Sequence, residues 1–287
     1  MLKGLVLEGG ALRALFTMGV LDTFLEEGIG FDGAVGVSAG VAFGCNFKSK
    51  QIGRAARYNR NYCADPRYKG WSSFFKTGDL FGGEFCYHTL PCELDIFDFE
   101  TYRNNPLRFW GVTTDVDTGE AYYKELKSMD KDDLEWVRAS ASMPLVSNIV
   151  KLKDDDGRDR LMLDGGLADS IPLKFMESQG FDRNVVILTQ PEGFVKKQYK
   201  ILPLAKIELR HHKGAIRALE ERPDRYNRQA AYVKEKEAAG EIFVIRPPEA
   251  LNIKPLTRDP AEIDRVYNMG LKAGKENVER VKEFLSR

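Results

Sequence analysis

Three short runs constrain this chain more than anything else in it: Gly4–Leu7 (GLVL), Gly33–Val37 (GAVGV) and Asn184–Leu188 (NVVIL). Each is nearly continuous in apolar residues, so neither face of the strand is written for water. A half-exposed strand alternates polar and apolar side chains. A strand apolar on both faces belongs to a sheet covered by helices on both sides, the habit of parallel sheets. Arg160–Leu163 (RLML) reads the same way. Three of these runs end at notable loops. GLVL runs into Glu8-Gly9-Gly10-Ala11-Leu12-Arg13 and a helix from about Leu12 to Glu27. GAVGV runs into Ser38 and an apolar helix through Phe47. RLML runs into Asp164-Gly165-Gly166. In open α/β sheets the active site lies beyond the carboxyl ends of the strands, where such loops gather. The expectation is an α/β, three-layer α/β/α fold with a mainly parallel central sheet.

Two hairpins are expected, one around Asp117-Thr118-Gly119 and one around the acidic turn Asp154–Gly157. The stretch from about Cys63 to Phe99 is glycine- and aromatic-rich with weak periodicity. It reads as a mobile cover over a site or as irregular packed structure. Residues 202–240 read as charged helix, Glu241–Pro247 as a last strand, and a final helix begins near Pro260. With no repeat and no composition break, one domain over 1–287 is expected, with a motif-bearing core at about 4–190 and a helical and strand extension at about 191–287.

The 43 basic side chains equal the 43 acidic ones. That gives no general electrostatic reason to expect nucleic acid as a partner. Four cysteines without framework spacing fit a reducing compartment. Glu8 and Gly9-Gly10 interrupt the apolar N-terminus, which therefore reads as a buried strand rather than a leader. No run approaches the ~20 apolar residues of a membrane span. The expectation is a cytoplasmic protein, any lipid contact being peripheral, at the inner face of the membrane.

Ser38 stands in Gly36-Val37-Ser38-Ala39-Gly40 (GVSAG), a Gly-x-Ser-x-Gly pattern between a strand and a helix. The flanking glycines remove side chains that would clash in a tight turn, and the helix N-terminus favours an anionic intermediate near the hydroxyl. The bland alternative is a small-residue strand-to-helix junction. In the EGGALR loop, consecutive glycines let backbone N–H groups converge as an oxyanion hole or phosphate cradle requires, and the alternative is a plain glycine turn. Asp164 is held at a strand end with its carboxylate near the site, or merely caps the next element. RASASMPLVSN, Arg138 to Asn148, says little by itself.

Taken together, these elements resemble the patatin-like phospholipase family, which is marked by a Gly-Gly-Gly-x-Arg-Gly loop, a Gly-x-Ser-x-Gly elbow, an Ala-Ser-x-x-x-Pro segment and an Asp-Gly-Gly/Ala motif. Here GGALRA, GVSAG, ASMP (Ala141 to Pro144) and DGG occur in that order, over roughly residues 4 to 190. The resemblance implies a serine hydrolase of lipid esters with Ser38 as nucleophile and Asp164 as base, without histidine. It further implies an oxyanion hole from Gly9, Gly10 and Ala11, with Gly10 and Ala11 as donors. Arg13 would be a loop anchor or anion contact, and Gly36, Gly40, Pro144, Gly165 and Gly166 support. No cofactor and no metal are expected. Ala11 and Ala14 replace glycines of the family pattern, and a positive φ at Ala11 would cost on the order of 1 kcal/mol.

Other residues offer rival readings. His211 and His212 follow Asp164 in the order a Ser-acid-His triad needs, but they sit in a charged helical stretch. Cys86, His88 and Cys92 lack a second ligand pair for zinc, and the acidic turn lacks the alternating ligands of a calcium loop. Lys196, Lys197, Lys200, Lys206, Arg210 and Lys213 read as a basic face that meets anionic lipid or is simply solvated. A non-catalytic or weakly active acyl-lipid or anion-binding protein on the same fold is the alternative function. A nucleotide-binding regulator built on EGGALR is the third.

Overall fold

The computed structural model describes residues 1–287. An eight-stranded sheet runs β5-β6-β3-β2-β1-β7-β8, with β4 also paired to β3. Its strands are β1 (Leu2–Leu7), β2 (Gly33–Val37), β3 (Arg108–Asp115), β4 (Ala121–Glu125), β5 (Val150–Lys153), β6 (Asp159–Asp164), β7 (Phe181–Ile187) and β8 (Ile242–Ile245). The segment β3-β2-β1-β7-β8 is parallel throughout. β4 and β6 run antiparallel to β3, and β5 antiparallel to β6, so both expected hairpins are present.

Alternation within each strand sends side chains to two separate cores. Leu5 and Leu7 of β1, Ala34 of β2 and Val185 and Ile187 of β7 join one cluster, and Val6, Val35, Val37 and Val186 join the other. The apolar runs were doubly buried, as their composition demanded. The first face is covered by α1 (Ala14–Glu26), α2 (Ala39–Lys48), α3 (Arg54–Tyr62), α5 (Phe99–Asn104), α6 (Lys131–Ser140) and α10 (Pro260–Ser286). The short α4 (Trp71–Thr77) leads toward a π-helical stretch, Phe85–Leu94, where Pro91 removes a donor from the ladder. The second face is covered by α7 (Leu173–Ser178) and α9 (Lys213–Ala238), with α8 (Leu202–Glu208) ahead of α9. The helix expected from Leu12 begins as a 3₁₀ turn, Ala11–Arg13, and becomes α only at Ala14.

α10 lies along α1 at backbone contact distance. A Cβ on Gly270 would sit 2.0 Å from the Phe16 carbonyl oxygen, closer than any real Cβ approaches. No helix is long and apolar enough to cross a membrane.

One expectation changes here. Arg160–Leu163 looked like the other buried strands, but β6 enters from the opposite direction as the return arm of a hairpin. An apolar four-residue run records that both faces are covered and nothing about direction.

Candidate active site

The register of the sheet brings the serine and the aspartate together. Val37 pairs with Val112, and on the same edge of β3 the next residue, Thr113, pairs with Asp164, β4 holding the other edge. Ser38, one residue beyond Val37, thus ends beside Asp164 where β2 and β6 meet end to end along that edge. β2 delivers its residue by running forward, and β6 by running backward to the same height.

Ser38 caps α2 with φ 55° and ψ −123°, a conformation that L-residues adopt only under constraint. Such strain costs on the order of 1–3 kcal/mol and needs surroundings that over-determine it. Those surroundings are visible. The Ser38 N–H donates to Ser140 Oγ at 2.9 Å, and Ser140 Oγ–H donates to the Val112 carbonyl at 2.6 Å. Backbones pack on either side: a Cβ on Gly40 would lie 2.5 Å from the Leu7 oxygen, and one on Gly9 would lie 2.8 Å from the Val37 oxygen. Both positions must be glycine because the β1 and β2 loops touch main chain to main chain. The first N–H groups of α2 have no intrahelical acceptor and turn their positive dipole toward the elbow.

Asp164 is fixed from both ends. Its N–H donates to the Ser142 carbonyl at 2.7 Å, and its own carbonyl accepts from Thr114 Oγ1 at 2.8 Å. The carboxylate Oδ1 accepts the Gly166 N–H at 2.8 Å. Burial pushes the carboxyl pKa up, against the Arg222 guanidinium, the neighbouring Ser38 hydroxyl, the Gly166 amide and the Lys196 ammonium. Burial wins. The direction is the useful one, since a carboxylate with a raised pKa is a stronger base than a free one.

The loop after β1 supplies backbone. Gly10 is extended (φ −177°), while Ala11 has φ 47°, the left-handed conformation that alanine holds at a cost near 1 kcal/mol. Ala14, the other departure, is an ordinary right-handed residue at the start of α1 and has no need of glycine. The Gly9 and Gly10 amides make no backbone hydrogen bond, so they remain open as donors.

A cavity of about 130 Å³ opens beside Ser38. One water needs ~10–15 Å³ on this measure, so the space suits an organic chain. Of its 24 lining residues, 17 are hydrophobic, including Ala42, Leu90, Met129 and Val137. Phe81, Cys86, Tyr87, Pro91 and Phe97 of the aromatic stretch line it too, so that stretch is packed wall. Trp71 and Phe75 of α4 stand outside it, exposed.

A family model described as patatin-like phospholipase matches residues 5–176. This chain belongs to the patatin-like phospholipase family. A second model, described as a domain of unknown function (DUF6363), matches residues 212–286. The uncharacterized protein YjjU of Escherichia coli (strain K12) is 26% identical over 314 residues, covering 98% of this chain and 78% of that protein. Lysophospholipase NTE1 of Coccidioides immitis (strain RS) is also 26% identical, over 97% of this chain but only 18% of its own length.

For this patatin-like chain, the sequence did not disclose the roles of three groups. The segment that seemed mute joins both halves of the site, Ser140 holding Ser38 and the Ser142 carbonyl holding Asp164. Its Ala-Ser-x-x-x-Pro spacing is met by Ala139 to Pro144, two residues ahead of ASMP, and that spacing was the available signal. Arg222 on α9 donates from Nε to the Gly166 carbonyl at 2.7 Å. Lys196, expected on a basic surface face, instead turns inward with Nζ 4.2 Å from the Tyr226 ring centre. His211 and His212 occupy the turn between α8 and α9 rather than a helix, and His212 Nδ1 faces Asp117 at 3.8 Å. Cys86 Sγ faces the Tyr68 carbonyl, His88 bonds Glu135 at 3.0 Å, and Cys92 is exposed, so the three have separate surroundings.

Proposed function

We propose that the protein is a serine acyl-ester hydrolase of the phospholipase A, lysophospholipase or esterase type, with Ser38 as nucleophile and Asp164 as general base. One observation carries the reading: the sheet register sets a serine held at positive φ at a strand-to-helix elbow beside a buried aspartate of raised pKa. The Ser38 oxygen attacks the ester carbonyl carbon as Asp164 takes the hydroxyl proton, and the carbonyl electrons move onto its oxygen. The Gly10 and Ala11 amides, with the start of α2, are suited to that oxyanion. Collapse expels the alcohol, which receives the proton from Asp164. Water, deprotonated by the same carboxylate, then releases the acyl group and regenerates Ser38.

The apolar cavity receives the acyl chain in this reading. Exposed Trp71, Phe75, Leu204 and Ile207 suit peripheral contact with a lipid surface. The unpaired state of all four cysteines agrees with a cytoplasmic setting. We take the whole chain as one domain, since α10 is seated on α1 and α9 covers the second face of the same sheet. The test is fluorophosphonate labelling read by intact mass, alongside hydrolysis of acyl esters. One adduct is expected on the wild type and none on Ser38→Ala. A folded wild type that neither labels nor hydrolyses any ester sinks the reading and favours a binding protein.

A further inference from the structure

The cavity occupies one side of Ser38; the other side is built from charge. Arg13 follows the glycine loop, Lys196 lies on the segment after β7, and Arg222 comes from α9 on the second face of the sheet. None of the three forms an ion pair, whereas Arg225, one turn along α9 from Arg222, bonds Glu221 at 2.8 Å. Arg13 Nε is buried without a hydrogen-bond partner. Arg222 uses Nε on the Gly166 carbonyl, which leaves the far edge of its guanidinium uncommitted. Glu8 is the carboxylate that acts on Arg13, and both its oxygens are already accepting, from the Tyr226 hydroxyl at 2.7 Å and the Thr189 N–H at 2.6 Å. Three cations gathered in partial burial against two carboxylates, none of them in a direct ion pair, are costly, and a negative ligand reduces the cost.

We propose that Arg13, Lys196 and Arg222 form a subsite for a phosphate group, placed so that an acyl ester lying across Ser38 has its chain in the apolar cavity and a phosphorylated alcohol among the three cations. The lipid part of this proposal rests on the hydrolase reading above; the anion site does not. Phosphate presents several acceptor oxygens to converging N–H donors, and arginine forks match that geometry. Two of the three cations lie outside the segment matched by the patatin-like model, and Arg222 lies in the segment matched by the domain of unknown function. That segment thus acquires a role in choosing the leaving alcohol.

Lys196 makes the site sensitive to pH. Burial, then Arg222 and Arg13, push its pKa down to about 7, against Glu8 and Asp164. Below that pH the ammonium is charged and attracts an anion; above it the amine is neutral. Phosphate itself gains negative charge as pH rises, so weaker binding at high pH points to the lysine.

Two measurements test this. In the first, glycerol 3-phosphate and inorganic phosphate are titrated calorimetrically into Ser38→Ala protein at pH 6 and pH 8.5, with and without Lys196→Met. Binding at pH 6, at least ~10-fold weaker at pH 8.5 and lost in Lys196→Met, is expected. Tighter binding of the glycerol ester than of inorganic phosphate marks a lipid headgroup as the ligand; the reverse order overturns that part. No binding of either at pH 6 overturns the site, whatever the ester assays give. In the second, kcat/KM is compared for a 1-acyl-glycerol 3-phosphate and the monoacylglycerol of the same chain. A preference for the phosphorylated ester of ~10-fold or more should collapse toward unity in Lys196→Met and survive in Lys196→Arg. Equal losses on both esters would instead assign Lys196 to Asp164 alone. Binding of phosphate without hydrolysis of any ester would defeat the hydrolase reading and leave the site standing.

Discussion

The two sides of Ser38 are built on opposite physical terms. On the cavity side, aromatic and aliphatic residues from α2, α3, α6 and the π-helical stretch pack on one another, and their burial stabilises the fold. On the charged side, Asp164 is buried with a raised pKa and three cations stand without ion pairs, so burial there acts against stability. Tolerated cost, more than gained packing, distinguishes chemistry from scaffold in this molecule.

The largest expected effect breaks the comparison at its centre. Ser38→Ala should abolish fluorophosphonate labelling. Asp164→Asn should lower kcat on the order of 10³-fold, within the range for losing a general base. The His211→Ala/His212→Ala protein should label as the wild type does. Labelling that depends on the histidines would overthrow the dyad.

Next, Arg222→Met removes the strongest charge that holds the Asp164 pKa down. The base then ionises at higher pH, so the acid limb of the kcat profile should move to higher pH, with activity recovering on the alkaline side. A limb that stays in place, or moves to lower pH, contradicts the electrostatic role. On the cavity side, Ala42→Phe fills space that lines the proposed acyl path. Hydrolysis of a long-chain ester should fall roughly tenfold relative to a butyrate ester, the scale of an overpacked site; equal effects on both would remove the cavity from substrate binding.

Smaller effects should appear in stability, with opposite signs for activity. Because the folded pKa of Asp164 is raised, its contribution to stability is present at low pH. It declines as pH rises from the unfolded value of about 3.9 through the raised folded one. At neutral pH the carboxylate is therefore a net cost, and Asp164→Asn should raise the melting midpoint at pH 7 while removing activity. Ser38→Gly should be more stable than Ser38→Ala by about 1–3 kcal/mol, since glycine accepts φ 55° without strain. Ala11→Gly is the smallest. Relief of ~1 kcal/mol is offset by greater freedom of the unfolded chain, leaving a shift within about 1 kcal/mol of zero in denaturant titration.

Much of this was legible beforehand. Apolar runs on both strand faces announced the covered sheet, the glycines around Ser38 announced a tight elbow, and Asp154–Gly157 announced a hairpin tip. The direction of β6 was not legible, because pairing belongs to two strands and one apolar run describes only itself. Ser140 was hidden for a related reason: its partner Ser38 is 102 positions away, and a serine in a small-residue run carries no mark of its acceptor. Lys196 was misread because a lysine among lysines looks solvated until Tyr226, on α9, shows where it points.

Local chemistry, then, was determined by sequence alone: which segments are strands, where backbones must approach within reach of a missing Cβ, and which serine and aspartate end those strands. Those are properties of neighbours a few residues apart, set by sterics and burial. Tertiary structure alone decided that the two residues meet along one edge of β3, that a distant serine holds the elbow, and that Arg222 of α9 and Lys196 stand near the aspartate. Each depends on the relative placement of elements whose separation along the chain leaves no periodicity to read.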